Sequence, residues 1–144
     1  MASLYLPVLR NLLANPVQLC DVGGRPVMSE ALLKVVSEAA WSTVGSSEWR
    51  FREHINVLEV RAAHAGVRWA FCSPESIAVP HFARLLLVTG SSVAFFALRK
   101  DRSTALVAPL RGIAAILLAS GWLLHPFWVP SEVNPADEGS RPHG

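Results

Sequence analysis

The fold is decided by residues 84–100, which read RLLLVTGSSVAFFALRK. Residues 85–88 are apolar on both faces of an extended chain, which is typical of a parallel strand covered on both sides. Gly90 interrupts the run, and Ser91 or Ser92 is a suitable N-cap for a short helix. The stretch therefore predicts a strand, a turn and a helix in immediate succession.

A further helix and strand are predicted downstream. Apolar residues spaced four, three and four apart indicate one buried helix face, and they are Leu106, Leu110, Ile113 and Leu117. Arg111 is expected to face water. Gly121 is a typical helix end, and Pro109 suits the first turn rather than the interior. Residues 122–129, WLLHPFWV, predict a strand in which Pro126 marks an edge or a bulge.

Two helices are predicted upstream. Residues 29–41 have Ser29 as a candidate N-cap, and one face contains Leu32, Val36 and Ala39. Residues 54–70 form the second helix, whose predicted buried stripe is Leu58, Ala62, Ala65 and Trp69. Strands separated by helices predict an α/β fold with parallel pairing, in which ligands bind at the carboxyl ends of the strands.

The acidic residues near those strand ends have a structural interpretation first. Asn134-Pro135-Ala136-Asp137 has the form of a helix start, with Asn134 as N-cap and Asp137 in the first turn, where a carboxylate stabilises the helix. Asn56 precedes Glu59 by three residues and predicts the same arrangement there. Helix capping explains the positions of both acids without any catalytic role. A side chain that caps a helix can also bind a metal ion, so the two roles are compatible.

The composition limits the class of protein. The chain has 144 residues and a net charge of +2, which predicts one domain and gives no argument for a polyanionic partner. Cys20 and Cys72 have neither metal-ligand spacing nor a disulfide framework, which favours a reducing compartment such as cytoplasm or nucleus. The N-terminus lacks the basic start of a signal peptide. Residues 1–27 are poorly patterned, residues 28–141 form the predicted domain, and residues 142–144 are a tail.

A membrane protein with one or two spans in residues 78–129 is an alternative. Residues 112–131 contain no formal charge and are about long enough to cross a bilayer. Pro126 and Pro130 interrupt the second half of that stretch, and Arg111 lies at its start, where a charge is costly. These residues favour a domain outside the membrane.

Three blocks of the sequence resemble one known family. The blocks are WRFREHINVLEVRAA (residues 49–63), SSVAFFALRKDRST (residues 91–104) and WVPSEVNPADEGSR (residues 128–141). In this order they resemble the ribonuclease H-like domain of retrotransposon polyproteins. The closest type is the DIRS-like group, which has a tyrosine recombinase beside its reverse transcriptase. The resemblance covers about residues 48–141.

The resemblance implies a mixed sheet flanked by helices and Mg²⁺-dependent hydrolysis of RNA in RNA–DNA hybrids. Four acids hold two Mg²⁺ ions in such two-metal sites. Glu59 matches the second family acid and Asp137 the fourth, whereas Gly90 occupies the position of the third. Asp21 is a weak match to the first, and the alternative is that the N-terminal strands of the family are missing.

The resemblance also implies nucleic-acid contacts and a larger context. Arg99, Lys100 and Arg102 are candidates for contacting phosphates, and Asp101 is a turn acid. The implied partners are an RNA–DNA hybrid and a reverse transcriptase domain upstream in a longer polyprotein. The missing acid implies a degraded nuclease, and the alternative is a non-catalytic relic that binds nucleic acid. In both cases the strand near residues 85–89 is expected to be central, with Glu59, Gly90 and Asp137 close together.

Overall fold

Two parallel strands and the helices around them give the chain an α/β fold. The computed structural model describes residues 19–41, 43, 45, 48, 50, 52–74, 83–100 and 107–140. The elements are β1 (Leu19–Cys20), β2 (Pro26–Val27), α1 (Glu30–Glu38), α2 (Ile55–Cys72), β3 (Arg84–Thr89), α3 (Ser92–Lys100), α4 (Val107–Ser120), β4 (Leu123–Trp128), a 3-10 turn (Ser131–Val133) and α5 (Pro135–Ser140).

Strands β3 and β4 pair in parallel over their whole length, as predicted. The register runs from Arg84 opposite Leu123 to Thr89 opposite Trp128 without an inserted residue. Pro126 therefore causes no bulge, and its missing N–H is tolerated because β4 has β3 as its one described neighbour.

The expected mixed sheet is not found among the described residues. Strands β1 and β2 form a separate antiparallel pair, and β3 pairs with β4 alone. The prediction that β3 is central is therefore wrong for the described part of the chain. An apolar run predicts that a strand is buried, but it does not predict how many strands flank it.

Side-chain caps fix where the helices begin. The Leu32 N–H donates to Ser29 Oγ over 3.2 Å, which confirms Ser29 as the N-cap of α1. The Ala94 N–H donates to Ser91 Oγ over 3.1 Å, so Ser91 rather than Ser92 caps α3. Helix α4 ends at Ser120, because Gly121 adopts a φ of 68° that favours glycine.

The described residues form two apolar clusters. In the first, α1 packs on one face of the parallel pair through Leu32, Val35, Val36, Phe127 and Val129, with Leu86 and Val88 against them. The second joins α2, α3 and α4 through Val60, Ala94, Ala97 and Leu110. Leu110 and Ile113 are buried and Arg111 is exposed, as predicted, whereas Leu106 lies outside the described residues.

The predicted buried stripe of α2 is wrong. The residues of α2 that are buried are Val60, Ala63 and Val67. Ala62 and Ala65 are exposed, and Trp69 is 49% exposed. Helix α2 has apolar residues on two faces, and α3 and α4 pack against the face with Val60, where branched side chains fill more volume than alanine does.

The membrane alternative requires a helix that is long and apolar enough to cross a bilayer. Among the residues that the structure describes, no helix combines the length and the apolar character needed to cross a bilayer.

The packing of α4 gives a testable prediction. Leu110 is 8% exposed in the second cluster, so Leu110→Ala is expected to lower the free energy of unfolding by about 2–5 kcal/mol. Leu118 on the same helix is 85% exposed, so Leu118→Ala is expected to change it by less than about 0.5 kcal/mol. Urea denaturation of the two variants measures both values, and equal values would contradict the described orientation of α4.

Candidate functional site

The carboxyl ends of β3 and β4 lie side by side and begin the candidate site. The Val129 N–H donates to the Thr89 carbonyl over 3.0 Å, which extends the parallel ladder beyond the last residue of β4. After Thr89 the chain turns into α3, and the Ser91 N–H donates to Thr89 Oγ1 over 3.1 Å. Parallel pairing therefore places two strand-to-helix connections at one edge, where ligands of such sheets bind.

The second connection positions Asp137. The Ala136 N–H donates to Asn134 Oδ1 over 3.1 Å, and the Asp137 N–H donates to the Asn134 carbonyl over 3.1 Å. Helix α5 begins at Pro135, so the predicted helix start is confirmed, with Asn134 as its N-cap. This cap holds Asp137 in the first turn, partly buried beside the end of β4.

Glu59 approaches the same place from α2. Its carboxyl is partly buried, and its pKa is raised, first by burial and second by the negative charge of Asp137. A carboxylate raises the pKa of another carboxyl only when the two are near each other. The two acids that the sequence singled out therefore lie within electrostatic reach.

Glu59 has no capping role, contrary to the sequence interpretation. The N-cap of α2 is His54, whose Nδ1 accepts from the Asn56 N–H over 3.3 Å, so Glu59 lies beyond the first helical turn. Asn56 was predicted as the cap from its residue type, and an imidazole nitrogen takes that place because α2 begins at Ile55. Without a cap to satisfy, a partly buried Glu59 needs another explanation.

Gly90 closes the site from the end of β3. A Cβ at this position would lie 2.9 Å from Asn134 Nδ2, 3.8 Å from its Cγ and 3.9 Å from the Val129 carbonyl oxygen. The backbone of Gly90 does not have the positive φ of Gly24 and Gly121, so its conformation suits any residue. A side chain here would therefore displace the end of the Asn134 side chain, whereas the backbone conformation would accommodate it. Nothing in the residue types of the sequence indicates this contact.

Asp21 lies in the turn between β1 and β2. Its Oδ1 accepts from the Arg25 N–H over 2.8 Å, and its carbonyl accepts from the Gly24 N–H over 3.0 Å. The exposed Asp21 carboxylate thus closes a tight turn. Among the described residues no three His, Cys, Asp or Glu side chains converge on a possible metal position, so Asp21 does not join Glu59 and Asp137.

The described donor set near the strand ends is small, with Glu59 and Asp137 as its two carboxylates. Glu59 and Asp137 supply carboxylate oxygens, which Mg²⁺ prefers, and Mg²⁺ keeps several of its waters when few protein ligands are present. Asn134 Oδ1 is used by the α5 cap, and Thr89 Oγ1 accepts from Ser91. A two-ion site requires ligands that clamp both ions, and the described residues offer too few.

The predicted basic cluster is described only in part. Arg99 is exposed at the end of α3, with its guanidinium carbon 5.9 Å from the centre of the Phe95 ring. The side chain of Lys100, and both Asp101 and Arg102, lie outside the described residues. Arg99 is thus the one member of the cluster whose exposure supports a contact with phosphate.

Comparison of the chain with protein-family models, with curated proteins and with solved structures finds no match. The resemblance of residues 48–141 to the ribonuclease H-like family therefore stays a prediction.

The acid pair predicts a specific dependence of stability on pH. Because the pKa of Glu59 is raised in the folded state, ionisation of Glu59 opposes folding, and the free energy of unfolding falls as pH rises through that pKa. Glu59→Gln is expected to remove this fall in the free energy of unfolding. Asp137→Asn is expected to reduce the fall only in part, because burial is the larger cause of the raised pKa of Glu59. Urea denaturation at a series of pH values measures the difference between each variant and the parent.

The control for this prediction is Glu132→Gln, an exposed position before α5. His64 and His125 have lowered pKa values, mainly through burial, so they reduce stability as pH falls through the ordinary range of histidine titration. They are present in all four proteins and cancel in the differences. A Glu59→Gln profile parallel to that of the parent would contradict the raised pKa of Glu59, and an Asp137→Asn profile parallel to it would contradict the proximity of the two acids.

Proposed function

We propose that this chain is a degraded ribonuclease H-like domain from a retroelement, whose ancestor hydrolysed the RNA strand of RNA–DNA hybrids with Mg²⁺. The observation that carries the proposal is that the charge of Asp137 raises the pKa of Glu59, while Gly90 lies against Asn134, the residue that caps the helix of Asp137. Glu59, Gly90 and Asp137 occupy three positions at which the resemblance implies catalytic acids.

The local fold supports this proposal. Glu59 lies on a long helix before β3, Gly90 directly follows β3, and Asp137 follows β4. The resemblance implies the same order of positions. Among the described residues neither the capping of α2 nor an ion pair explains the partly buried Glu59, and a cation shared with Asp137 is the explanation proposed here.

The chain is proposed to be an impaired nuclease because its carboxylates are too few. Glu59 and Asp137 can hold and orient one hydrated Mg²⁺, which would partly neutralise their mutual repulsion. Within the described residues a second ion has no clamp, since Gly90 supplies no side-chain oxygen and Asp21 closes the β1–β2 turn. Hydrolysis of a hybrid by the unmodified chain is therefore expected to be negligible.

The small number of described carboxylates also favours a second candidate function, that of a non-catalytic relic that binds nucleic acid. Arg99 is exposed and contacts the ring of Phe95, which holds the guanidinium at the surface. Such a relic would bind phosphates without cleaving them. Binding that is retained in Glu59→Gln but weakened in Arg99→Gln would support it.

Restoration of the missing acid tests the proposed nuclease ancestry. Gly90→Asp alone is expected to restore Mg²⁺ binding poorly, because its Cβ would meet Asn134 Nδ2 at 2.9 Å. Gly90→Asp with Asn134→Ser removes that contact and keeps a capping residue, since Ser also caps helices. Isothermal titration with Mg²⁺ is expected to show binding that increases from the parent to the single and then to the double variant.

The matched control is Ala115→Asp, which adds one carboxylate to the exposed surface of α4 and is expected to leave Mg²⁺ binding unchanged. Asn134→Ser alone reports the effect of the altered cap. Equal absence of binding in the parent and the double variant would contradict the acid cluster. Strong hydrolysis of a hybrid by the unmodified chain would contradict the role assigned to Gly90.

A further inference from the structure

The outer surface of α2 contains a groove that the acid pair does not use. The groove has a volume of about 410 Å³, and its lining residues are Arg61, His64, Ala65, Arg68, Trp69 and Cys72. At 3.6 residues per turn, Arg61 and Arg68 lie about half a turn around the helix axis from Glu59. The groove and the candidate metal position therefore occupy opposite sides of one helix.

The groove has two arginines, of which Arg61 donates two hydrogen bonds to Glu53, from Nε over 2.6 Å and from Nη2 over 2.9 Å. Arg61 and Arg68 are both exposed. His64 lies between them, and its pKa is lowered by burial and then by the charges of Arg68 and Arg61. Glu53 offsets Arg61 through an ion pair of 2.6 Å, and Arg68 carries the second positive charge. An anionic ligand would be attracted to this surface.

The groove also presents a flat aromatic surface. Trp69 is 49% exposed, next in sequence to Arg68, and the small side chain of Ala65 lies one turn before it. An exposed indole is a platform on which a planar base can stack, and a neighbouring guanidinium adds to the attraction. The ligand that the groove suits is therefore both anionic and planar.

We propose that the outer groove of α2 binds single-stranded nucleic acid, with phosphates at Arg61 and Arg68 and a base stacked on Trp69. Seven residues separate the two arginines, which is about 10.5 Å along the helix axis. A single strand that runs along the helix axis can therefore present phosphates of different nucleotides to the two arginines. This proposal is independent of the acid pair and of nuclease ancestry.

A second copy of the chain is a poorer occupant of this groove. In a two-fold contact the same patch meets itself, so Arg61 and Arg68 would face like charges. The cores of protein interfaces are depleted in charged residues, whereas two arginines are part of this groove. In single-stranded nucleic acid the phosphates can bind the arginines and an unpaired base can stack on Trp69.

Fluorescence anisotropy with a labelled twelve-residue oligothymidylate tests the proposal over a range of salt concentrations. The salt slope is the change in the logarithm of the binding constant with the logarithm of the salt concentration. The double variant Arg61→Gln with Arg68→Gln is expected to reduce the size of this slope by about 1.4, since each lost phosphate contact to a single strand accounts for about 0.7. Trp69→Leu is expected to weaken binding roughly ten-fold or more without changing the slope, and Trp69→Phe to retain most of the affinity.

The matched control is Arg25→Gln with Lys34→Gln, which removes two positive charges from exposed positions in the β1–β2 turn and on α1. This control is expected to keep the salt slope of the parent. Glu59→Gln is expected to keep it as well, because Glu59 lies on the opposite side of α2 from the two arginines. Circular dichroism verifies that each variant keeps its helices, so that a loss of binding reflects the groove.

Four results would overturn the proposal. The first is that the parent does not bind the oligonucleotide, and the second is that the control pair loses as much salt slope as the arginine variant. The third is that a duplex with the same number of phosphates binds equally tightly. The fourth is that the parent does not bind the oligonucleotide but self-associates, and that Trp69→Leu abolishes the self-association. The last would assign the groove to a contact between copies of the chain. Loss of Mg²⁺ binding at the acid pair, with oligonucleotide binding retained, would leave this proposal standing.

Discussion

The parallel pairing of β3 with β4 is the constraint on which the rest of the structure depends. Antiparallel neighbours would end at opposite edges, whereas parallel strands end at the same edge, and the hydrogen bond from the Val129 N–H to the Thr89 carbonyl continues that alignment past the strands. The turns after Thr89 and Val129 are thereby brought together. Gly90 and Asn134 touch because of this pairing, although 44 positions separate them in the sequence.

Helix α2 serves the molecule differently on its different faces. Val60 and Val67 bury one face against the neighbouring helices, and Glu59 reaches toward Asp137. A third face holds Arg61, Arg68 and Trp69 at the surface. A helix with apolar residues on two sides offers two ways to pack, and its neighbours, α3 and α4, decide which side is covered.

The contact between Gly90 and Asn134 links the capping of α5 to the chemistry of the site. Asn134 positions Asp137 through its bond to the Ala136 N–H, and its amide nitrogen occupies the space that a side chain at position 90 would need. A larger residue at position 90 would therefore disturb the side chain that caps α5.

Local residue chemistry determined much of the fold. Ser29, Ser91 and Asn134 are caps because short polar side chains satisfy free backbone N–H groups, and residues 85–88 form a strand because both of its faces are apolar. Glu59 and Asp137 were likewise identifiable from the sequence, through the blocks in which they lie. These features depend on residues within one turn of a helix or one strand, so the sequence by itself was enough.

Only the tertiary structure decided which side of α2 is buried, how many described strands flank β3, and which side chain lies against position 90. Leu58, Ala62, Ala65 and Trp69 have the spacing of a buried stripe, yet α3 and α4 pack against the face that contains Val60. The coupling of Glu59 with Asp137 and the approach of Asn134 to Gly90 join residues far apart in the chain. Such contacts depend on the relative placement of whole elements, which periodicity and capping do not encode.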